Sequence, residues 1–467
     1  MISYESARKI EIELNIKRIA KRLVDHYDPN KKTVIMLPGG MGSRLERSKK
    51  KYPGPFDAYD VVWIDFDIIF GRNGDARALE IQKNGRDEDS YIVIPNGPFA
   101  FFVTPYDGTE KFFRDNGYNY AVFGFDWRRP IEDSARWLKV FLDLFRNGVI
   151  KRFQGNADKD PLPTTTLLCH SMGGLVAKIF LHLVFKNNTG DGDVSRWMEN
   201  MITVATPFYG TSNHIHRYYE GIDLLNLLYG PDNITRIAAS LDGPYILLFL
   251  DKFSYDKDGA TLGLTRYPVR DANNNAIEVD PYDPSTFTRY PKWVKPDFLN
   301  RARQIRKTLV REVSPSVIKH VFHVRSGQNR KTWVEKFWKP IDGSTFKPGG
   351  PSPISGTNGE GDGTVPFWSA RLAQTPIDQI YDLQLAKDHM SLLEHEETLK
   401  VVKRIIDTGK CPKTVTAEDR SLGVSKASKA RTDDFVSKVK KNKIKLGDLR
   451  STDPDVWRRL IEDISLC

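Results

Sequence analysis

Short unbroken apolar runs alternate with longer stretches in which apolar residues recur every three or four positions. Thr33–Leu37 (TVIML), Ala121–Phe125 (AVFGF), Thr164–Leu168 (TTTLL), Met201–Ala205 (MITVA), Lys319–Arg325 (KHVFHVR) and Gln379–Leu383 (QIYDL) have the length and content of buried strands. Residues 6–27, 109–116, 131–147, the stretch following Gly174 and the stretch ending near Thr408 read as helices. In the first of these, Ile12, Ile16, Ile19, Leu23 and His26 fall near one face. Strand, helix, strand, helix in this order predicts an α/β fold: an open, mostly parallel sheet flanked by helices, with chemistry at the carboxyl ends of the strands. Val61–Phe70 is a further apolar run interrupted by Asp65 and Asp67, and 71–107 reads as loops and short hairpins.

The rhythm breaks twice. Residues 211–314 hold apolar clusters (Ile222–Leu228, Ile246–Leu250), many aromatics and a loop-rich section; they read as a cap or lid inserted into the sheet, or as a second structural subdomain. From 411 onward lysine becomes dense and apolar content falls, before a short helical pattern at Asp453–Ile464. The expected organisation is therefore an amphipathic helix (1–30), a first part of the core (31–210), the cap insertion (211–314), a second part of the core (315–410) and a basic tail with a short helix (411–467).

Composition narrows the class. With 467 residues, 40% of them hydrophobic, the chain can bury a large core, and 11% aromatics exclude a mainly disordered protein. The net charge of +10 suits solubility, or contact with an anionic membrane surface through the lysine-rich tail. No zinc-finger spacing or RNA-binding aromatic signature accompanies it, so nucleic acid is not an expected partner. Three cysteines, Cys169, Cys411 and Cys467, make no disulfide framework, and the charged N-terminal stretch lacks the apolar core of a signal peptide. No run approaches the length of a membrane span. A cytoplasmic protein, peripheral to membrane at most, is the expectation; the oligomeric state is left open.

The chemistry concentrates where strands end. Thr164–Leu168 runs into Cys169-His170-Ser171-Met172-Gly173-Gly174 and then directly into a helical pattern. Strand, tight turn with a central serine, helix is the context of a nucleophile elbow, although Cys169 stands where a glycine is usual. Thr33–Leu37 ends in Pro38-Gly39-Gly40-Met41-Gly42. Neither phosphate-binding glycine pattern is present there, so beside an elbow serine this loop is expected to supply an oxyanion donor, with Gly40 and Met172 as the backbone amides. Serine needs an oriented base. Asp362, in a glycine-rich loop after Lys319–Arg325, and His389, after Gln379–Leu383, follow Ser171 in the order Ser, Asp, His. His395 is the runner-up base and Asp388 a competing acid. Met41, His170, Trp127, Phe208 and Tyr209 are candidate substrate or lid contacts. Asp126 and Arg128 read as a structural ion pair at a strand end. Asp191 and Asp193 are too few for a calcium loop; no metal or other cofactor is expected.

Seven segments together resemble the lecithin:cholesterol acyltransferase-like family of α/β-hydrolases, which includes phospholipid:diacylglycerol acyltransferases and lysosomal phospholipase A2-type enzymes. They are PGGMGSRLE (38–46), WIDFDIIFG (63–71), FDWRRP (125–130), CHSMGG (169–174), TPFYGTS (206–212), GDGTVP (361–366) and DHMSLL (388–393). The resemblance covers roughly 33–405. It implies an α/β-hydrolase fold and acyl transfer or ester hydrolysis on lipid-like substrates. It also implies Ser171 as nucleophile, Asp362 as acid, His389 as base, the Gly40 and Met172 amides as oxyanion donors, and 211–300 as lid. Phe125 replaces a common tyrosine, and the paired cysteines of secreted members are absent. The same triad also serves amidases, thioesterases and depsipeptide-type hydrolases, and a non-catalytic binding protein on this fold is the remaining alternative.

Overall fold

The computed structural model describes residues 3–48, 59–63, 79–87, 91–98, 106–153, 164–187, 198–211, 214–220, 231–270, 280–283, 292–311, 318–328, 332–338 and 354–412. The tail beyond 412, with its expected short helix, lies outside these residues, as do Ile222–Leu228, Asp191, Asp193 and the part of Val61–Phe70 beyond Trp63.

Twelve described strands are numbered in chain order: β1 Thr33–Leu37, β2 Ser43–Ser48, β3 Tyr59–Trp63, β4 Val93–Pro98, β5 Asn119–Val122, β6 Thr165–His170, β7 Met198–Val204, β8 Val269–Arg270, β9 His320–Ser326, β10 Thr332–Trp338, β11 Ile354–Gly359 and β12 Ile380–Leu383. The helices are α1 Tyr4–Asp25, α2 Asp107–Asp115, α3 Ile131–Phe153, α4 Met172–Asn187, α5 Arg217–Glu220, α6 Pro231–Ser240, α7 Lys252–Asp258, α8 Pro296–Leu309 and α9 Glu396–Thr408. Six strands form the central sheet in the order β12-β9-β7-β6-β1-β5, and every neighbouring pair is parallel. Both faces are covered, which is why β1 and β6 are buried along their whole length and read as apolar runs rather than alternating ones. This is the α/β-hydrolase fold expected from the sequence.

Alternate residues of each strand feed two cores. Ile35, Leu37, Leu167 and Met201 face a large cluster with α1, α3, α4 and the inserted region; Val34, Met36, Leu168 and Ile202 face a smaller one with α2 and α9. Helix α1 starts at Ser3, whose side chain accepts from the Ser6 N–H, and packs along α3 and β4. It buries Arg8, Glu11 and Asn15 beside its apolar stripe. Among the described residues, no helix is long and apolar enough to cross a membrane.

Three elements depart from the sequence pattern. The strand expected at 121–125 is β5, beginning and ending earlier. Asn119 is held at its start by the carbonyls of Asp28 and Lys31, and past Val122 the chain turns so that the Phe125 N–H reaches Ser43 Oγ at 2.9 Å. The glycine loop is followed by β2, which joins β3 and β4 in a small antiparallel sheet beside the main one. And β9 is followed by an antiparallel pair, β10 and β11, whose outer partner is β8, a strand of the inserted region.

Candidate active site

The loops after β1, β6 and β7 lie side by side, because those strands are neighbours in the sheet. Each carries a non-glycine residue with positive φ: Met41 (62°), Ser171 (49°) and Ala205 (53°). Such backbone is unfavourable for residues with a Cβ and marks places where the fold dictates the turn. For Ser171 the dictating contacts are explicit. Its N–H donates to Val204 O at 3.0 Å, its C=O accepts the Gly174 N–H at 3.0 Å, and α4 begins at the next residue. A Cβ on Gly173 would lie 2.5 Å from the carbonyl oxygens of Leu37 and Pro38, and one on Gly174 would run into Thr206. The two glycines let the elbow helix come down onto the ends of β1 and β7. Cys169, one residue before the turn pair, is fully buried in the large core, and burial pushes its thiol far above the ordinary range, so it acts as a small apolar residue.

Asp362 follows β11. Its Oδ1 accepts the N–H groups of Thr364 (3.0 Å) and Val365 (2.7 Å), and its Oδ2 lies 2.7 Å from Nδ1 of His389. Gly363, with φ 97°, donates its N–H to Thr332 Oγ1 at 2.7 Å, which ties the turn to the start of β10. The carboxylate is thus fixed by two amides before it meets the imidazole, and both side chains are buried. His389 opens a short 3-10 turn (His389–Glu394) after β12. Its ring sits 4.8 Å from that of His170, the residue before Ser171. His395, by contrast, sits just before α9, is half-buried, and has no hydrogen-bond partner for its Nδ1 among the described residues. Asp388 is the residue that leads into the 3-10 turn.

The glycine loop is set by groups the sequence pattern did not single out. The Gly42 N–H closes a turn onto Gly39 O (3.0 Å), and Trp63 Nε1 donates to Met41 O at 2.6 Å. The Gly39 N–H donates to Tyr106 Oη at 2.9 Å, and the same oxygen lies 3.0 Å from His170 Nδ1. Met172 is the first residue of α4, so its N–H is among those that have no acceptor within the helix. Tyr106 precedes α2 without capping it, and no pattern in the sequence marked it.

The remaining candidate contacts are enclosed. Trp127 packs edge-on against Trp63, with ring centroids 5.4 Å apart. Phe208 packs edge-on against His323, whose own pKa burial lowers to about 3. Tyr209 donates to Asp258 at 2.8 Å and accepts the Ala373 N–H at 3.2 Å. Met41 and His170 are buried in the loop cluster itself. The FDWRRP segment forms a buried ion network. Arg128 binds both oxygens of Asp126 and Oδ1 of Asp87 at 2.9 Å each, Arg129 reaches Asp87 at 3.0 Å, and Arg8 of α1 reaches Asp126 at 3.3 Å. Tyr4 donates to Asp87 at 2.6 Å.

No family model matches the chain, and no curated protein matches it in sequence. Solved structures resemble it at low identity. The Tle4–Tli4 complex contains a chain 15% identical, covering 81% of this chain and 99% of its own, with a TM-score of 0.49. The mature lipase BlEst2 of Bacillus licheniformis is 15% identical over 82% of this chain and 94% of its own, with a TM-score of 0.33. EstA of Clostridium botulinum is 12% identical over 79% and 85%, with a TM-score of 0.32.

Proposed function

We propose that this chain is a serine esterase or acyltransferase acting on lipid-like esters through Ser171, His389 and Asp362. The observation that carries the reading is the buried 2.7 Å pair of His389 Nδ1 and Asp362 Oδ2, set in loops beside a serine held at positive φ between a parallel strand and a helix. A carboxylate bound to Nδ1 fixes that nitrogen as the donor and leaves Nε2 as the base. Ser171 Oγ attacks the ester carbonyl carbon as its proton passes to His389 Nε2. The C–Oγ bond forms, and the carbonyl oxygen becomes an anion held by the Gly40 and Met172 amides. Collapse breaks the bond to the leaving alkoxide, which takes the proton from His389. Water or a second alcohol then attacks the acyl-serine by the same route, returning Oγ its proton. Each oxyanion amide is worth about 10²–10³ in rate.

The lipid-like class is supported by the seven motifs and by the aromatic interior of the inserted region, where Tyr218, Tyr245, Phe249 and Tyr282 are all buried. The test is Ser171→Ala. We expect it to remove turnover of short-chain nitrophenyl esters, by at least about 10³-fold, and to abolish labelling by a fluorophosphonate probe. A labelled, active Ser171→Ala protein would end the proposal.

A further inference from the structure

We propose that Tyr106 and His170 are positioning residues that lock the glycine loop and the His389 loop into one register through a hydrogen-bond relay, a proposal that rests on the Ser171 reading above. The relay runs Gly39 N–H to Tyr106 Oη (2.9 Å), Tyr106 Oη to His170 Nδ1 (3.0 Å) and His170 Nε2 to His389 O (3.1 Å). Its hydrogens have a single self-consistent arrangement. The His389 carbonyl can only accept, so His170 carries a proton on Nε2. His170 is wholly buried, and burial, with the neighbouring His389 ring, pushes its pKa well below the ordinary histidine range, so the ring is neutral and Nδ1 has no proton. Tyr106 therefore donates to Nδ1, and its oxygen accepts from Gly39. Burial raises the Tyr106 pKa as well, which keeps that proton in place.

Two consequences follow for the chemistry. The Gly39 amide is spent on Tyr106 and is not free for an oxyanion, in keeping with Gly40 as the loop's proposed donor. The loop also cannot shift without the base loop. Tyr106 Oη fills the turn so closely that a Cβ on Gly42 would stand 2.8 Å from it. Gly39 is also closely packed, since a Cβ there would stand 3.1 Å from both His170 Nδ1 and Ser171 Cβ and one of them would have to give way. Three residues on, Thr109 Oγ1 donates to Leu393 O at 2.7 Å, so the start of α2 grips the base loop at a second point. The relay thus joins three loops, from separate strands, whose relative placement decides whether oxyanion donors and base address the same carbonyl.

The experiment uses the full chain with kinetics expressed per active site, titrated by the fluorophosphonate probe. Tyr106→Phe, which deletes both the acceptor for Gly39 and the donor for His170, should lower kcat about tenfold with KM within about twofold. His170→Leu should cost about as much or more, and His170→Gln, a neutral side chain with one donor and one acceptor side by side, should recover part of the loss. A purely structural role would reduce the number of titratable sites but leave kcat per site unchanged, and that result overturns the proposal; so does equal activity of the Leu and Gln variants. A readout independent of turnover is nitrogen NMR of histidine-labelled wild type. His170 should stay neutral with the proton on Nε2 between about pH 5 and pH 8, and the Nδ1 signal should move in Tyr106→Phe. A proton on Nδ1, or titration in that range, overturns the relay even if no ester is turned over. Absence of probe labelling and of turnover in wild type would instead defeat the Ser171 reading.

Discussion

Two arginines are wholly buried, and the fold neutralises them in different ways. Arg128, at the end of the β5 segment, is met by charge: Asp126 and Asp87, with Arg8 and Arg129 around the same carboxylates. Arg306, on α8 of the inserted region, is met by dipoles. Its guanidinium donates to the carbonyls of Phe208 and Leu248 and to Tyr282 Oη. The first arrangement welds α1, the 79–87 segment and the strand end into one block. The second clamps the 206–211 loop to the inserted region, with no acid among the described residues that bond to Arg306. A charge met by charge is strong but creates a liability, because removing one member strands the others in a low-dielectric site. A charge met by carbonyls strands nothing charged.

The sharpest way to break this contrast is Asp126→Ala. Three guanidinium groups would then share Asp87 alone, and we expect a loss of about 3–5 kcal/mol, read as a large fall in the thermal midpoint. Next comes pH. Burial alone would raise the Asp126 pKa, but the guanidinium groups of Arg128, Arg129 and Arg8 outweigh it and hold it well below the ordinary carboxylate range. That side therefore contributes stability above about pH 4 and loses it as pH falls further. Asp242, where the inserted region meets the start of α3, goes the other way. Burial raises its pKa to about 6 in spite of its ion pair with Arg301 and the nearby Lys295, with Glu132 and Asp133 adding to the rise. The folded state there holds a proton that the unfolded state has released, so stability falls as pH rises from about 4 to about 6, by about 2–3 kcal/mol at 1.36 kcal/mol per unit. Asp242→Asn should flatten that limb in midpoints measured across the range; an unchanged slope would put the titration elsewhere. The smallest effect is expected from Arg306→Met, about 1–2 kcal/mol, because three acceptors lose a donor while the cost of burying a guanidinium disappears. A loss as large as that of Asp126→Ala would erase the distinction between the two clamps.

What could be seen in the sequence follows the same physics. Parallel strands buried on both faces announce themselves as apolar runs, so TVIML and TTLLCH mark β1 and β6 and the turns after them. Strands of the two small sheets do not. SRLERS is half charged, and ISGTNG has a single large apolar residue, yet both are strands, each paired in a three-stranded sheet apart from the central one. The loop order Ser171, Asp362, His389 is likewise written in the chain, since it needs only strand ends and residue types. The relay is not: Tyr106 and His170 are 64 residues apart, and His170 and His389 are 219 apart, brought together by strand order rather than by any local signal. Asp126 and Arg128 were readable as a pair because they are two residues apart; Asp87, which completes their network, was not.

The pairing of β8 with β10 has a consequence for any exchange of the inserted region. Caps are often treated as cassettes to be exchanged between scaffolds. Here a strand from the inserted region is hydrogen-bonded to the very hairpin whose second arm runs into Gly361 and Asp362. A transplant cut at the ends of the insertion alone would leave β10 with a bare edge at Lys336 and Phe337, in the same hairpin that leads to Asp362. A graft that takes the inserted region together with 332–361 keeps both strand partners of β10, and we expect it to leave Asp362 in register.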